Sequence, residues 1–146
     1  MLEIFSHPVV AIVVLLGVLI FVHELGHYLV GRLFGIGVET FSIGFGPKLF
    51  SFMHNHTLYQ IAVLPLGGYV KFCGMRERED VPDAFKGKEF FRASYTAKVA
   101  TLFAGPFFNF LLAAFVYVGL GIHGIEHTPA IIGTVRSESP AERAGL

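Results

Sequence analysis

Val9 to Val22 are apolar at every position except Gly17, and the run continues to Leu33 with His23, Glu24 and His27 set into it. This pattern predicts a membrane-spanning helix from about Pro8, a residue suited to a first helical turn, to Leu33. At ~1.5 Å per residue its roughly 25 residues cover the ~30 Å hydrocarbon core of a bilayer with some tilt. A second span is expected from about Val99 to Ile122, which holds no charged residue. Gly105-Pro106 is expected to interrupt it, because proline leaves the carbonyl of Leu102 without its helical partner. Asn109 follows one turn later.

Between the spans, Glu39 to Phe52 and Thr57 to Phe72 read as strands. Met53 to Thr57 would form the turn, and Pro65-Leu66-Gly67-Gly68 a bend or bulge. A sheet this apolar is expected to dip into the bilayer with its edges covered, since open edges do not survive facing lipid. Met75 to Lys88 reads as a solvated loop and Glu89 to Lys98 as an interfacial helix. Beyond the second span, Ala130 to Val135 reads as a strand and Ser139 to Leu146 as a helix start, with Ser139 as N-cap.

The expected fold is therefore a membrane α-helical protein with an inserted membrane-associated β-sheet. Residues 1–35 carry the first helix, 36–74 a membrane-reentrant β region, 75–98 a loop and interfacial helix, 99–123 the second helix, and 124–146 a further segment.

Composition supports a membrane class. Of 146 residues, 53% are hydrophobic and 16 are Phe, and the mean hydropathy is +0.63. A net charge of zero gives no electrostatic footprint for nucleic acid. The single Cys73 excludes an intrachain disulfide and reads as an inert thiol. Residues 1–8 carry no Lys or Arg, and no small-residue cleavage site follows the first apolar run, so a retained helix is expected rather than a signal peptide. Nine of the eleven basic residues, from Arg32 to Lys98, lie at or between the spans. That distribution places the loop in the cytoplasm and both termini outside.

The chemistry sits in the first span. His23-Glu24-Leu25-Gly26-His27 places two imidazoles four residues apart on one helix face, where both can reach one zinc ion. Glu24 can then act as general base on a water at the metal. Ionisable groups at membrane depth are costly and mark function by default. Gly26 allows another helix to approach closely. Two other histidine pairs read as decoys. His54 and His56 fall in the proposed turn, and His123-Gly124-Ile125-Glu126-His127, an inverted zinc motif by its letters, falls where the second span ends.

Five segments, in order, carry a resemblance. They are residues 22–27, Val-His-Glu-Leu-Gly-His; residues 41–47, Phe-Ser-Ile-Gly-Phe-Gly-Pro; residues 64–71, Leu-Pro-Leu-Gly-Gly-Tyr-Val-Lys; residues 104–110, Ala-Gly-Pro-Phe-Phe-Asn-Phe; and residues 139–146. With them the chain resembles the N-terminal part of the site-2 protease family of intramembrane zinc proteases, in the bacterial branch typified by the regulator of sigma-E protease. The resemblance implies Zn2+ as cofactor, His23 and His27 as its ligands and Glu24 as the catalytic base. Gly44, Phe45 and Gly46 would belong to a reentrant sheet that holds the substrate extended, and Asn109 would bind the substrate backbone or the developing oxyanion. Residues 139–146 would begin a PDZ domain outside the cytoplasm.

The implied partners are a transmembrane substrate protein, such as an anti-sigma factor or a signal-peptide remnant, and the lipid bilayer, with no nucleic acid. The implied location is the bacterial inner membrane. Members of the family take a third zinc ligand, an Asp, from a later membrane helix, and no span follows Ile122 here. The chain is therefore expected to be an N-terminal part of the protease that cleaves nothing alone. A non-catalytic membrane adaptor keeping the same scaffold is the alternative. A metal transporter would need polar lining on both spans, and the second offers little beyond Thr101, Asn109 and Tyr117.

Overall fold

A run of Val, Leu and Ile after Pro8 folds as helix because an apolar environment forces each backbone amide to find its partner inside the segment. In the computed structural model, which describes residues 7–77, 80–124, 137 and 139–145, this helix is α1, Pro8–Leu33. It ends where Gly35 takes a φ of 77°, and the amides of Phe34, Gly35 and Ile36 bond back to Val30, Arg32 and Gly31. A left-handed glycine just past the last turn is a common helix stop. Ile12 and Leu15 stay more than half exposed. The helix is thus apolar and mostly uncovered by protein, which does not suit the core helix of a water-soluble fold.

The chain then forms β1 (Val38–His54) and β2 (Thr57–Phe72), paired antiparallel. Their turn is the two residues Asn55 and His56, both with positive φ (47° and 63°), the handedness that matches the twist of a hairpin. From there the register runs from His54↔Thr57 to Lys48↔Ala62. Gly46 and Gly44 then turn the chain, with φ of 89° and 88°. A side chain at Gly44 would sit 2.7 Å from the Leu64 carbonyl oxygen, so no other residue fits this bend. The turn lets residues 40–43 pair on two sides, with Lys71 back to Gly68 and with Leu58 on to Ile61. Among the described residues, 68–70 are paired on one side only and form an edge.

Ile36, Val38, Phe72 and Ala97 make the buried core, with Tyr28, Val70, Phe90 and Ala93 packed around it. Cys73 is fully buried beside it. The segment after β2 is tied in by Phe90 N–H to the Cys73 carbonyl (2.8 Å) and Gly37 N–H to the Lys88 carbonyl (2.8 Å). The region read as a solvated loop contains a 3-10 turn, Asp83–Phe85, whose Phe85 is buried against Gly37. A lone apolar residue in a polar stretch carries too little periodicity to announce this.

The second long helix, α2, spans Tyr95–His123. It differs from expectation in two ways. It begins four residues before Val99, where Ser94 Oγ accepts the Ala97 N–H at 3.2 Å as an N-cap, so the end of the proposed interfacial helix belongs to it. It also runs unbroken through Pro106, because one missing hydrogen bond does not outweigh the bonds on either side of it.

The chain divides into two units, Met1–Phe115 and Val116–Leu146. In the second, the described residues hold the end of α2 and one helical turn, α3 (Pro140–Arg143). The strand expected at 130–135 lies outside the described residues, as do Glu126 and His127.

Two predictions follow from this packing. A Cβ at Gly26 would lie 2.6 Å from the Ala104 carbonyl oxygen and 2.9 Å from the Phe108 ring. Gly26→Ala should destabilise the fold by about 1–3 kcal/mol, read as a lower Tm in detergent. Gly17→Ala, with nothing within 4 Å, should be neutral or stabilising by up to about 1 kcal/mol. Separately, burial and a 2.6 Å hydrogen bond to Tyr28 push the Tyr59 phenol up to about 12. A raised phenol pKa contributes stability that is complete below the ordinary value of about 10 and lost as pH rises from there through 12. Phenolate absorbance from Tyr59 should therefore appear only near pH 12, and at lower pH in Tyr28→Phe.

Candidate metal centre

Spacing of four on a helix stacks two side chains on one face, and α1 uses it to bring His23 and His27 together. Their Nε2 atoms are 3.2 Å apart. His27 Nδ1 lies 2.7 Å from the Thr101 carbonyl oxygen on α2. A carbonyl only accepts, so Nδ1 carries the proton and the Nε2 lone pair of His27 points at His23. Asn109 Nδ2 lies 3.4 Å from His23 Nδ1. As the rings stand, Asn109 donates to His23, and His23 Nε2–H donates to His27.

Opposite the pair stands Gly105. A Cβ there would meet His27 Nε2, and His23 Nε2 at 2.7 Å. Gly26 gives the reciprocal contact, with its missing side chain facing the Ala104 carbonyl. The two helices therefore touch through glycines at the level of the histidines.

Glu24 faces a different way. A Cβ at Gly68 would lie 2.8 Å from Glu24 Cγ and 3.1 Å from Ile20 Cγ2. Glu24 thus packs against the outer edge of β2. His23, Glu24, Phe45, Gly67, Gly68 and Asn109 line one groove of about 320 Å³. A larger polar cavity of about 540 Å³, lined by Arg76, Lys86, Glu89 and Arg92 among others, contains none of the histidines. The smaller groove is the one where titratable groups and an open strand edge meet.

The structure sorts the residues singled out from the sequence. His23, Glu24, His27 and Asn109 converge, and Phe45 lines the same groove. Gly44 does not line it; its Cα faces the carbonyls of Ala62 and Leu64. Gly46 approaches only the Leu64 side chain. His54 and His56 stay exposed at the hairpin tip, with His56 edge-on to Phe85, and His123 is exposed at the end of α2. Thr101, Gly105 in its contact with the histidines, and the Gly67-Gly68 edge were not assigned to the site from the sequence. One signal was there: Ala97, Thr101, Gly105 and Asn109 recur every fourth residue, a small and polar stripe on a helix otherwise rich in Phe and Leu.

Do these residues fit a zinc ion? Two nitrogens bound to tetrahedral zinc at 2.0–2.1 Å stand about 3.3 Å apart, and the observed separation is 3.2 Å. The Thr101 carbonyl on His27 Nδ1 is the outer partner that metal-binding histidines ordinarily have. For His23 to offer its Nε2 lone pair, its proton must move to Nδ1, where it needs an acceptor. Asn109 Oδ1, buried and without a partner among the described residues, becomes that acceptor if the amide turns over. The pair fits the ion. Among the described residues no group of three His, Cys, Asp or Glu side chains gathers into a complete cage, so these residues supply two of the three ligands that catalytic zinc usually takes.

Comparison with known proteins finds one matching family profile and several relatives. Residues 11–139 match the profile described as Peptidase family M50. Among curated relatives, a zinc metalloprotease by name from Mesorhizobium japonicum is 40% identical, over 97% of this chain and 42% of its own length. One of the same name from Campylobacter jejuni is 39% identical, over 99% of this chain and 39% of its own. Another from Vibrio cholerae is 41% identical, over 94% of this chain and 30% of its own. The chain thus spans about two-fifths or less of the length of these relatives.

Proposed function

The chain belongs to peptidase family M50, the site-2 protease family, and from that membership we propose that it carries part of the active site of an intramembrane zinc endopeptidase acting on membrane-spanning segments. The observation that carries this reading is the histidine pair: two Nε2 atoms 3.2 Å apart on an apolar helix, with Glu24 between them in sequence and facing the groove.

His23 and His27 would hold the ion, together with a ligand from outside the described residues. When bound, zinc would supply Lewis acidity toward water and the scissile carbonyl. Glu24 would take the proton of the attacking water and pass it to the leaving amide nitrogen. Asn109, on the same groove, would donate to the substrate carbonyl as negative charge develops on its oxygen.

A helical substrate hides its amides, so it must unwind before it can be cut. The edge at residues 68–70, continuous with Gly67 in the groove and paired on one side only among the described residues, offers backbone groups to an unwound stretch. Gly68 would let that stretch pass close to Glu24, and the Phe45 ring, which lies over Gly67, would wall a pocket for one of its side chains. This shifts the substrate-facing role from Gly44 and Gly46 toward Gly68. Gly44 and Gly46 would instead build the bend that holds the sheet.

In this reading both long helices cross the inner membrane of a bacterium. The sheet dips into the bilayer, presenting exposed Leu49, Phe50 and Met53 to lipid, and the basic central loop lies in the cytoplasm. Residues 139–146 begin a PDZ domain on the other side. Substrates would be membrane proteins of the anti-sigma-factor or signal-peptide-remnant kind.

Full-length protein in proteoliposomes, given a single-span substrate, provides the test. Glu24→Gln should lower cleavage about 10²–10⁴-fold with zinc content unchanged, and His23→Ala should lose both. Normal cleavage by Glu24→Gln would remove the mechanism. Gly68→Val should retain zinc yet cut at least about tenfold more slowly, since a Cβ there would lie 2.8 Å from both Glu24 Cγ and the Ser42 carbonyl oxygen, crowding the groove and displacing the strand edge beside it. Unchanged cleavage there would move the substrate strand elsewhere.

A further inference from the structure

Resting on the reading of His23 and His27 as ligands, we infer that Gly105 is a positioning residue whose missing side chain leaves the space in which those two histidines hold the ion. The three atoms nearest to a Cβ at this position are His27 Nε2, His23 Nε2 and His27 Cε1. No backbone atom and no aliphatic side chain is among them. The contact is thus made with the two nitrogens that face each other across 3.2 Å. An ion bound by both must lie about 2 Å from each. A methyl group 2.7 Å from His23 Nε2, and closer still to His27 Nε2, occupies that same small volume.

Helix packing is the competing explanation for a glycine here, and Gly26 shows what that looks like. Its Cβ would meet the Ala104 carbonyl oxygen and carbon, and the Phe108 ring. Backbone cannot move aside without shifting a whole helix, so Gly26 sets the helix separation. At Gly105 the obstacles are the far ends of two side chains. The His23 ring is held by Asn109 at 3.4 Å and by its neighbour His27, whereas the nearer ring, His27, is tied to the Thr101 carbonyl at 2.7 Å, so a methyl here must push His23 aside and strain the His27 bond. A methyl at Gly105 therefore displaces ring ends and not a helix, and its cost falls first on the metal pair. Thr101, one turn earlier on the same face, orients His27 through its carbonyl. Asn109, one turn later, lies by His23. Gly105 sits between these two, level with the nitrogens themselves.

The test uses full-length protein in nanodiscs and reads metal retention, not cleavage. Zinc affinity is measured by chelator competition for wild type, Gly105→Ala, His23→Ala and Gly119→Ala, the last a helix glycine with open space around it. Wild type and Gly119→Ala should retain zinc equally. Gly105→Ala should lose at least about tenfold in affinity while its Tm in excess chelator matches that of chelator-treated wild type. Equal zinc affinity in Gly105→Ala and wild type would overturn the role of Gly105 and leave the ligand pair standing. If His23→Ala retains zinc as wild type does, the ligand pair itself fails, and the role of Gly105 with it.

Should Gly105→Ala not fold, wild type decides alone. With Co2+ in place of zinc, the Gly105 backbone NMR signal should broaden beyond detection while those of Gly17 and Gly119 persist. A sharp, unshifted Gly105 signal in the Co2+-loaded protein would overturn the proposal.

Discussion

Two imidazoles and a carboxylate set into an apolar helix need partners, and nearly everything around them in this protein supplies those partners. The decisive contact is between α1 and α2 at Gly26 and Gly105. Because neither residue has a side chain, the Thr101 carbonyl comes within 2.7 Å of His27 Nδ1 and fixes which nitrogen bears the proton. The same approach brings Asn109 to His23. Were the helices held apart by even one methyl group at Gly26, both contacts would lengthen and the histidines would lose their fixed aim.

The sheet is the second partner. It meets α1 through the Tyr28–Tyr59 hydrogen bond, through the Phe72 ring over Gly31, and through Gly68 against Glu24. These contacts place an open strand edge beside the carboxylate. Strand and helix thus serve one requirement from two directions. The helix pair sets the metal-binding nitrogens, and the sheet sets where an extended peptide would lie relative to the base. Gly44, with its φ of 88° and the Leu64 carbonyl where a side chain would be, is what allows one pair of long strands to fold back and make that edge.

Much of this was readable from residues alone. The extent of α1 follows from a long, predominantly apolar run between a proline and a glycine. Both strands and the turn between them follow from their aromatic and β-branched content and the polar Asn55-His56 tip. Less was readable where the deciding energy is a single contact. The start of α2 at Tyr95 depends on one hydroxyl, that of Ser94. The path through Pro106 depends on cooperative bonding in the turns around it. The burial of Phe85 depends on a partner, Gly37, far away in sequence.

The same division holds at the site. Local order along the chain determined the helix, the four-residue spacing of His23 and His27, and the presence of a carboxylate between them, because a helix repeats every 3.6 residues whatever surrounds it. Only the tertiary structure decided that Thr101 orients one ring, that Gly105 faces both nitrogens, and that Gly68 rather than Gly44 borders Glu24. Those relations join residues dozens of positions apart, and their distances are set by how closely two helices and a sheet edge can pack. Periodicity along a chain carries no information about that separation.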